Sequence, residues 1–156
     1  MSKVTRATQA LDKAGVAYAV FTYDYDPDAD RIGVQAAESL GVDPGIVLKT
    51  LMAEVDGKPV CVLLRSDREV NMKKLAAAFR GKSAGMMTPA AAERATGYHV
   101  GGISPFGQKR AHPMALDEAA LAAETVYVNG GQRGLQLRLA PHDLVKALGA
   151  ITASLS

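Results

Sequence analysis

The chain has 156 residues, 48% of them hydrophobic and 22% charged, with a formal net charge of +2. That is enough chain for a single domain over residues 1–156 with a buried core, and too little charge to announce nucleic-acid binding by itself. No apolar stretch approaches the roughly 20 residues that span a bilayer, and no apolar core follows the basic start, so the sequence predicts a cytoplasmic protein with no membrane partner.

Val4, Ala7, Ala10, Leu11 and Ala14, followed by Gly15, predict a short amphipathic helix with a glycine stop. Residues 16–23 (VAYAVFTY) read as a strand, 24–32 (DYDPDADRI) as a polar loop and 33–40 as a helix ended by Gly41. Residues 46–55 and 58–65 flank Asp56-Gly57, the dipeptide favoured in two-residue hairpin turns. Asn71 caps a predicted helix over 71–80 that stops at Gly81. Thr88-Pro89 opens another helix, with Gly97 as its end. Residues 98–105 (YHVGGISP) read as a short strand entering a glycine loop, and Asp117 as the cap of a helix through Ala122. Strands at 124–128 and 135–139 are joined by a glycine-rich turn, Pro141 starts a last helix to about Leu148, and Ala153–Ser156 is expected to fray. Short helices interleaved with hairpin-linked strands predict an α+β fold with a mainly antiparallel, curved sheet.

Three segments could carry chemistry. GVDPGIVLKT at 41–50 superficially suggests a phosphate loop, but Ile46, Val47 and Leu48 separate Gly45 from Lys49, so the backbone cannot wrap a phosphate. What remains is a lysine inside an apolar strand. It is either an edge residue that faces solvent and blocks aggregation, or a buried cation with an electrostatic role. GGISPFGQ at 101–108 is either a tight turn or a loop whose amides could hold a carbonyl or phosphate oxygen. NGGQRG at 129–134 reads as a hairpin turn, with a pocket wall as the second option. His99, His112 and His142 lack metal-site spacing. Cys61, the single cysteine, excludes an internal disulfide and a cysteine-based metal site, and reads as core filler.

Four stretches together, TYDYDPDADRIG, AAESLGVDPGIVLKTL, AERATGYHVGGISPFGQKR and VYVNGGQRGLQLRLAPHDL, resemble the YbaK family across nearly the whole chain. The branch is that of Cys-tRNA(Pro) deacylases, relatives of the editing domain inserted in many prolyl-tRNA synthetases. The resemblance implies an α+β domain with a partial-barrel mixed sheet flanked by short helices. It implies hydrolysis of the ester between cysteine and tRNA(Pro), with the substrate's own thiol as nucleophile and neither metal nor organic cofactor. It assigns the catalytic role to Lys49 and to the loop Gly101, Gly102, Ile103 and Ser104. Substrate contacts fall on Tyr23, Ile32, Asn129, Gly130, Gly131 and Gln136. Lys109, Arg110 and Arg133 are candidates for tRNA phosphates, and prolyl-tRNA synthetase is a candidate partner. The chain departs from the family at Ile32, usually aromatic, at Asn129, usually serine, and at Gln136, often aspartate. Other readings are a deacylase for a different amino acid on tRNA(Pro), or a non-catalytic module that binds tRNA or a synthetase.

Overall fold

The structure, a computed structural model, describes residues 4–28 and 32–156. Thr5 opens α1 (Arg6–Ala14) with a reciprocal cap, its hydroxyl accepting the Thr8 amide while its own amide donates to the Thr8 hydroxyl. There follow β1 (Ala19–Thr22), α2 (Ile32–Leu40), a 3-10 turn (Pro44–Ile46), β2 (Leu48–Val55), β3 (Lys58–Arg65), α3 (Met72–Ala78) and β4 (Ala84–Met86). The second half holds α4 (Pro89–Thr96), β5 (Met114–Asp117), a 3-10 turn (Glu118–Ala122), β6 (Val126–Asn129), β7 (Leu135–Leu139), α5 (Pro141–Leu148) and β8 (Ile151–Ala153). No helix among the described residues is long and apolar enough to cross a membrane.

The strands form two open sheets. One is antiparallel, in the order β1-β7-β6; the other is mixed, in the order β4-β2-β3-β5-β8, with parallel pairing only of β5 to β3 and to β8. An isolated parallel bridge between Val47 and Tyr127 joins them. On its edge away from β3, β2 therefore meets β6 at its start and β4 only at Ala53–Val55. Among the described residues, no strand pairs with the edge between. The mainly antiparallel α+β arrangement expected from the sequence is present, but as two sheets joined by an isolated bridge rather than as one curved sheet.

Alternation along the strands makes two apolar layers. Leu63, Leu116, Val126, Val128 and Leu137 pack with Ala7 and Leu11 of α1 and Leu144 of α5. On the other face Val55, Val60, Val62 and Leu64 pack with Leu75 of α3. The Asp56-Gly57 turn is as predicted, with both residues at positive φ (50° and 79°). The caps at Asn71 and Thr88 are also in place.

Four expectations are corrected. Residues 98–105 form no strand: the Gly102 amide turns back onto the His99 carbonyl and Gly101 takes φ 90°, so the backbone cannot extend. The third helix turns at Arg80, at φ 58°, rather than at Gly81. Gly81 instead packs against the Val55 side chain, where a Cβ has no room. Asp117 holds the cap position of the turn Glu118–Ala122 as expected, but its side chain makes no capping bond; its carboxylate accepts the Leu155 amide instead. The tail consequently does not fray, since Leu155 is fully buried beside α3. The strands β4, β5 and β8 are three or four residues long and carried no readable pattern.

Candidate active site

A cavity of about 410 Å³ opens at the unpaired edge of β2. One wall is β2 itself, Lys49 to Met52. Met86, Met87 and Pro89 close the β4 side, and Val100, Gly101 and Ile103 come from the glycine loop. Tyr23, Asn129 and Gln136 face it from the three-stranded sheet. Their common orientation follows from register: Asn129 lies opposite Gln136, Gln136 opposite Phe21, and Tyr23 continues the Phe21 face two residues on.

Lys49 is not a solvent-facing edge residue. Its side chain is 20% exposed, and its ammonium lies 3.6 Å from a Glu69 carboxylate whose side chain is 86% exposed. That loose, screened pair leaves the cation available to the cavity. Lys49 lies opposite Leu64, on the face of the sheet that packs against α3, whereas Thr50 lies opposite Leu63 and points to the other face. Both border the cavity because it opens at the strand's edge.

The two glycine segments dock on each other. The Asn129 amide donates to the Gly101 carbonyl (3.1 Å) and its oxygen accepts the Gly131 amide (2.7 Å). Arg133 Nε donates to the Val100 carbonyl (3.0 Å), and its guanidinium lies 5.4 Å from the centre of the Tyr25 ring. Gly102 sits directly on the Gln132–Arg133 backbone; a Cβ there would lie 3.0 Å from the Arg133 nitrogen. Of the predicted site residues, the structure therefore brings Tyr23, Lys49, Gly101, Ile103, Asn129 and Gln136 to one cavity. Gly102, Ser104, Gly130 and Gly131 are not on its wall and shape the loops behind it. Ser104, fully buried, accepts the Phe106 amide. The side chain of Ile32 lies outside the described residues. Lys109 and Arg110 are exposed and away from the wall. Arg133, read from sequence as a phosphate contact, is committed in part to holding the loop.

Gln108 and His112 carry a role the sequence did not reveal. Gln108 Nε2 donates to the Ser104 carbonyl (2.9 Å), so its oxygen must be the acceptor in the 2.8 Å contact with His112 Nδ1, which then carries the proton. Burial holds the His112 pKa below its usual value, with the Arg110 charge acting in the same direction. This chain of bonds ties the glycine loop to the segment before β5. Gln108 closes the GGISPFGQ string, but nothing in the sequence pairs it with His112.

Polar atoms at the cavity are left without partners. Among the described residues, the buried side-chain oxygens lacking a hydrogen bond are Tyr23 Oη, Gln35 Oε1, Thr50 Oγ1 and Gln136 Oε1, and the residues Tyr23, Thr50 and Gln136 line this cavity. Each such atom costs about 1–3 kcal/mol, so folding does not favour the arrangement. Burial pushes the Tyr23 pKa up; the neighbouring Gln136 amide opposes the shift without meeting the geometry of a full hydrogen bond.

The aminoacyl-tRNA editing domain model matches residues 26–147. The chain is 34% identical over 144 residues to a candidate Cys-tRNA(Pro)/Cys-tRNA(Cys) deacylase, EbsC, of Enterococcus faecalis, covering 90% of this chain and 86% of that protein. The chain belongs to the aminoacyl-tRNA editing domain family. A 36% identical stretch of 100 residues also matches the proline–tRNA ligase of Maridesulfovibrio salexigens, covering 64% of this chain but only 17% of that enzyme. The crystal structure of a candidate trans-editing enzyme for prolyl-tRNA synthetase superposes with a TM-score of 0.82 at 25% identity, covering 97% of this chain and 94% of the other. As a YbaK-type editing domain, this protein is an aminoacyl-tRNA deacylase, a hydrolase of ester bonds.

For a deacylase, Cys61 is the obvious protein nucleophile to test. It is fully buried in β3, and burial pushes its thiol from about 9 up to about 12, against a weaker opposing contact from Gln108. The thiol is neutral at working pH and a poor nucleophile. Alkylating reagents should leave native Cys61 unmodified and activity intact, and react only on unfolding; modification with parallel loss of activity would place Cys61 in the chemistry. Because the folded pKa is raised, the stability this group contributes is complete below pH 9 and is lost as pH rises from there towards 12. Cys61→Ala should flatten that alkaline decline in a pH series of melting curves.

Proposed function

We propose that this domain clears cysteine from tRNA(Pro) in trans, using the substrate's thiol as the nucleophile. The observation that carries the reading is the make-up of the cavity wall. Its described hydroxyls are Tyr23, Thr50 and Ser66, none of the three histidines lines it, and Cys61 lies elsewhere. No hydroxyl there has an imidazole to activate it. A cysteinyl ester brings its own nucleophile. The thiolate attacks its carbonyl, a C–S bond forms as the ester C–O bond breaks, and the ribose hydroxyl leaves with the proton the thiol gave up. Water then opens the resulting β-thiolactone to cysteine. Holding the thiol against the carbonyl makes the attack intramolecular, worth several kcal/mol of barrier. Lys49 and the backbone of the glycine loop supply positive charge and donors for the developing oxyanion. Lys109 and Arg110 are proposed to meet acceptor-stem phosphates, with prolyl-tRNA synthetase as the partner that helps select the tRNA.

The test compares Cys-, Ser- and Ala-tRNA(Pro). Seryl ester is the informative control, since it differs from cysteinyl only in the nucleophilic atom. Cysteine should be released at least about 100-fold faster than serine or alanine, a margin that shape discrimination alone seldom reaches. Equal release of alanine would overturn the thiol mechanism in favour of an activated water. No release from any of the three by folded protein would favour a binding module.

A further inference from the structure

We propose that Tyr23, Thr50 and Gln136 form a seat for the free α-ammonium of the aminoacyl group, and that the domain therefore rejects esters whose α-nitrogen is acylated. The inference rests on the deacylase reading and adds to it which substrates are excluded.

The residues that carry the three unpartnered oxygens lie on the two walls of one gap. Thr50 comes from β2; Gln136 and Tyr23 come from the other sheet, where they are diagonal neighbours on one face. Gln136 and Tyr23 are 5% and 8% exposed. The backbone of Thr50 points the same way. Met87 N–H donates to the Met52 carbonyl and Asp56 N–H to the Ser83 carbonyl, so even-numbered residues of β2 direct their backbone groups to this edge. At Thr50 no strand is there to receive them. The gap thus offers three side-chain oxygens and the Thr50 carbonyl as acceptors, beside the hydroxyl protons and the Thr50 amide as donors.

Ligand chemistry follows from that inventory. A phosphate or carboxylate could take the two hydroxyl protons and the Thr50 amide but would leave the acceptor-only Gln136 Oε1 facing oxygen. A hydroxyl has one proton to give. A primary ammonium has three donors and no lone pair, and suits a group of acceptors. Such a cation must also be kept from Lys49. Strand alternation does this, since Lys49 and Thr50 leave β2 on opposite faces. Glu69 is the acidic residue on the wall, but it is exposed and pairs with Lys49. The substrate would then lie with its ester oxygen towards Lys49 and the glycine loop, and its nitrogen towards Thr50 and Gln136. Acylation of that nitrogen removes the charge and two of the three donors, and adds bulk where the walls converge.

The experiment uses the full chain with Cys-tRNA(Pro) and its N-acetyl counterpart, the thiol being protected during acetylation and freed afterwards. Rates are taken after subtraction of each ester's uncatalysed hydrolysis. Acetylation should lower kcat/KM by at least about 100-fold. Thr50→Val and Gln136→Leu, with unchanged circular dichroism, should each slow release from the free amine by about 10–100-fold, the range for a hydrogen bond to a charged group. Neither should further slow the acetylated ester, so the preference shrinks. Gln136→Glu, which places a carboxylate in the seat, should keep the preference. Equal release from both esters by the unaltered protein overturns this proposal alone, as does an undiminished preference in both Thr50→Val and Gln136→Leu. No release from either ester overturns the deacylase reading and this proposal with it.

Discussion

Replacing Lys49 by alanine should lower the deacylation rate by about 10²–10³-fold while leaving the melting temperature nearly unchanged. The rate term comes from position. Lys49 is the cation on the cavity wall, held on a strand rather than a loop, and mostly withdrawn from solvent. A preorganised donor in such a place acts on the charge that develops on the ester oxygen, and deleting one of this kind costs about 2.7–4 kcal/mol of barrier. The stability term is small because, among the described residues, Lys49 pairs with exposed Glu69 alone, at 3.6 Å. Surface pairs of that sort contribute about 0–1 kcal/mol. Single-turnover deacylation beside a thermal melt separates the two. Lys49→Arg keeps the charge but not the compact ammonium, and should recover only part of the loss. A fall of less than about five-fold for Lys49→Ala would move the electrostatic work to the loop amides.

The parts of this fold that announce themselves in sequence are those governed by local chemistry. Asp56-Gly57 needs two positive φ values and has residues that accept them, and Thr88-Pro89 supplies a capping hydroxyl followed by a preset φ. The candidate site is legible for a different reason. Lys49, Gly101 and Gln136 lie in the family's motif strings, whereas patterning alone leaves the lysine undecided and reads NGGQRG as a simple turn. What sequence could not show is tertiary. β4, β5 and β8 are too short for a period and exist because a neighbour's edge receives them. Leu155 is held by an aspartate 38 positions away. Thr50 looks like any strand threonine until the ends of β6 and β4 leave its edge uncovered. Arg133 reads as a phosphate contact and instead donates to the Val100 carbonyl, because only the folded chain brings the two glycine segments together.

Gly107→Ala should destabilise the protein by about 3 kcal/mol, lowering the melting temperature by about 6–12 °C for a chain of this size. Gly149→Ala should cost about 1 kcal/mol, and the comparison isolates the cause. Both glycines hold the left-handed conformation, at φ 69° and 61°, so both substitutions carry the same backbone strain. They differ in surroundings. A Cβ at Gly149 meets nothing within 4 Å, whereas one at Gly107 would lie 2.5 Å from the Arg6 carbonyl oxygen and 2.9 Å from the Tyr98 hydroxyl. The first obstacle is backbone in the opening turn of α1 and cannot rotate away. The second is engaged in a 2.6 Å hydrogen bond to the Phe106 carbonyl, with the Arg6 guanidinium over its ring. Relief must come from moving α1 or moving the loop. The loop is the softer of the two, and its other end is Gly101 at the cavity. Gly107→Ala assayed well below its melting point should therefore also lose activity, while Gly149→Ala should keep it. Equal melting temperatures for the two variants would mean that the start of α1 yields freely, and that the glycine loop is positioned by Asn129, Arg133 and Gln108 alone.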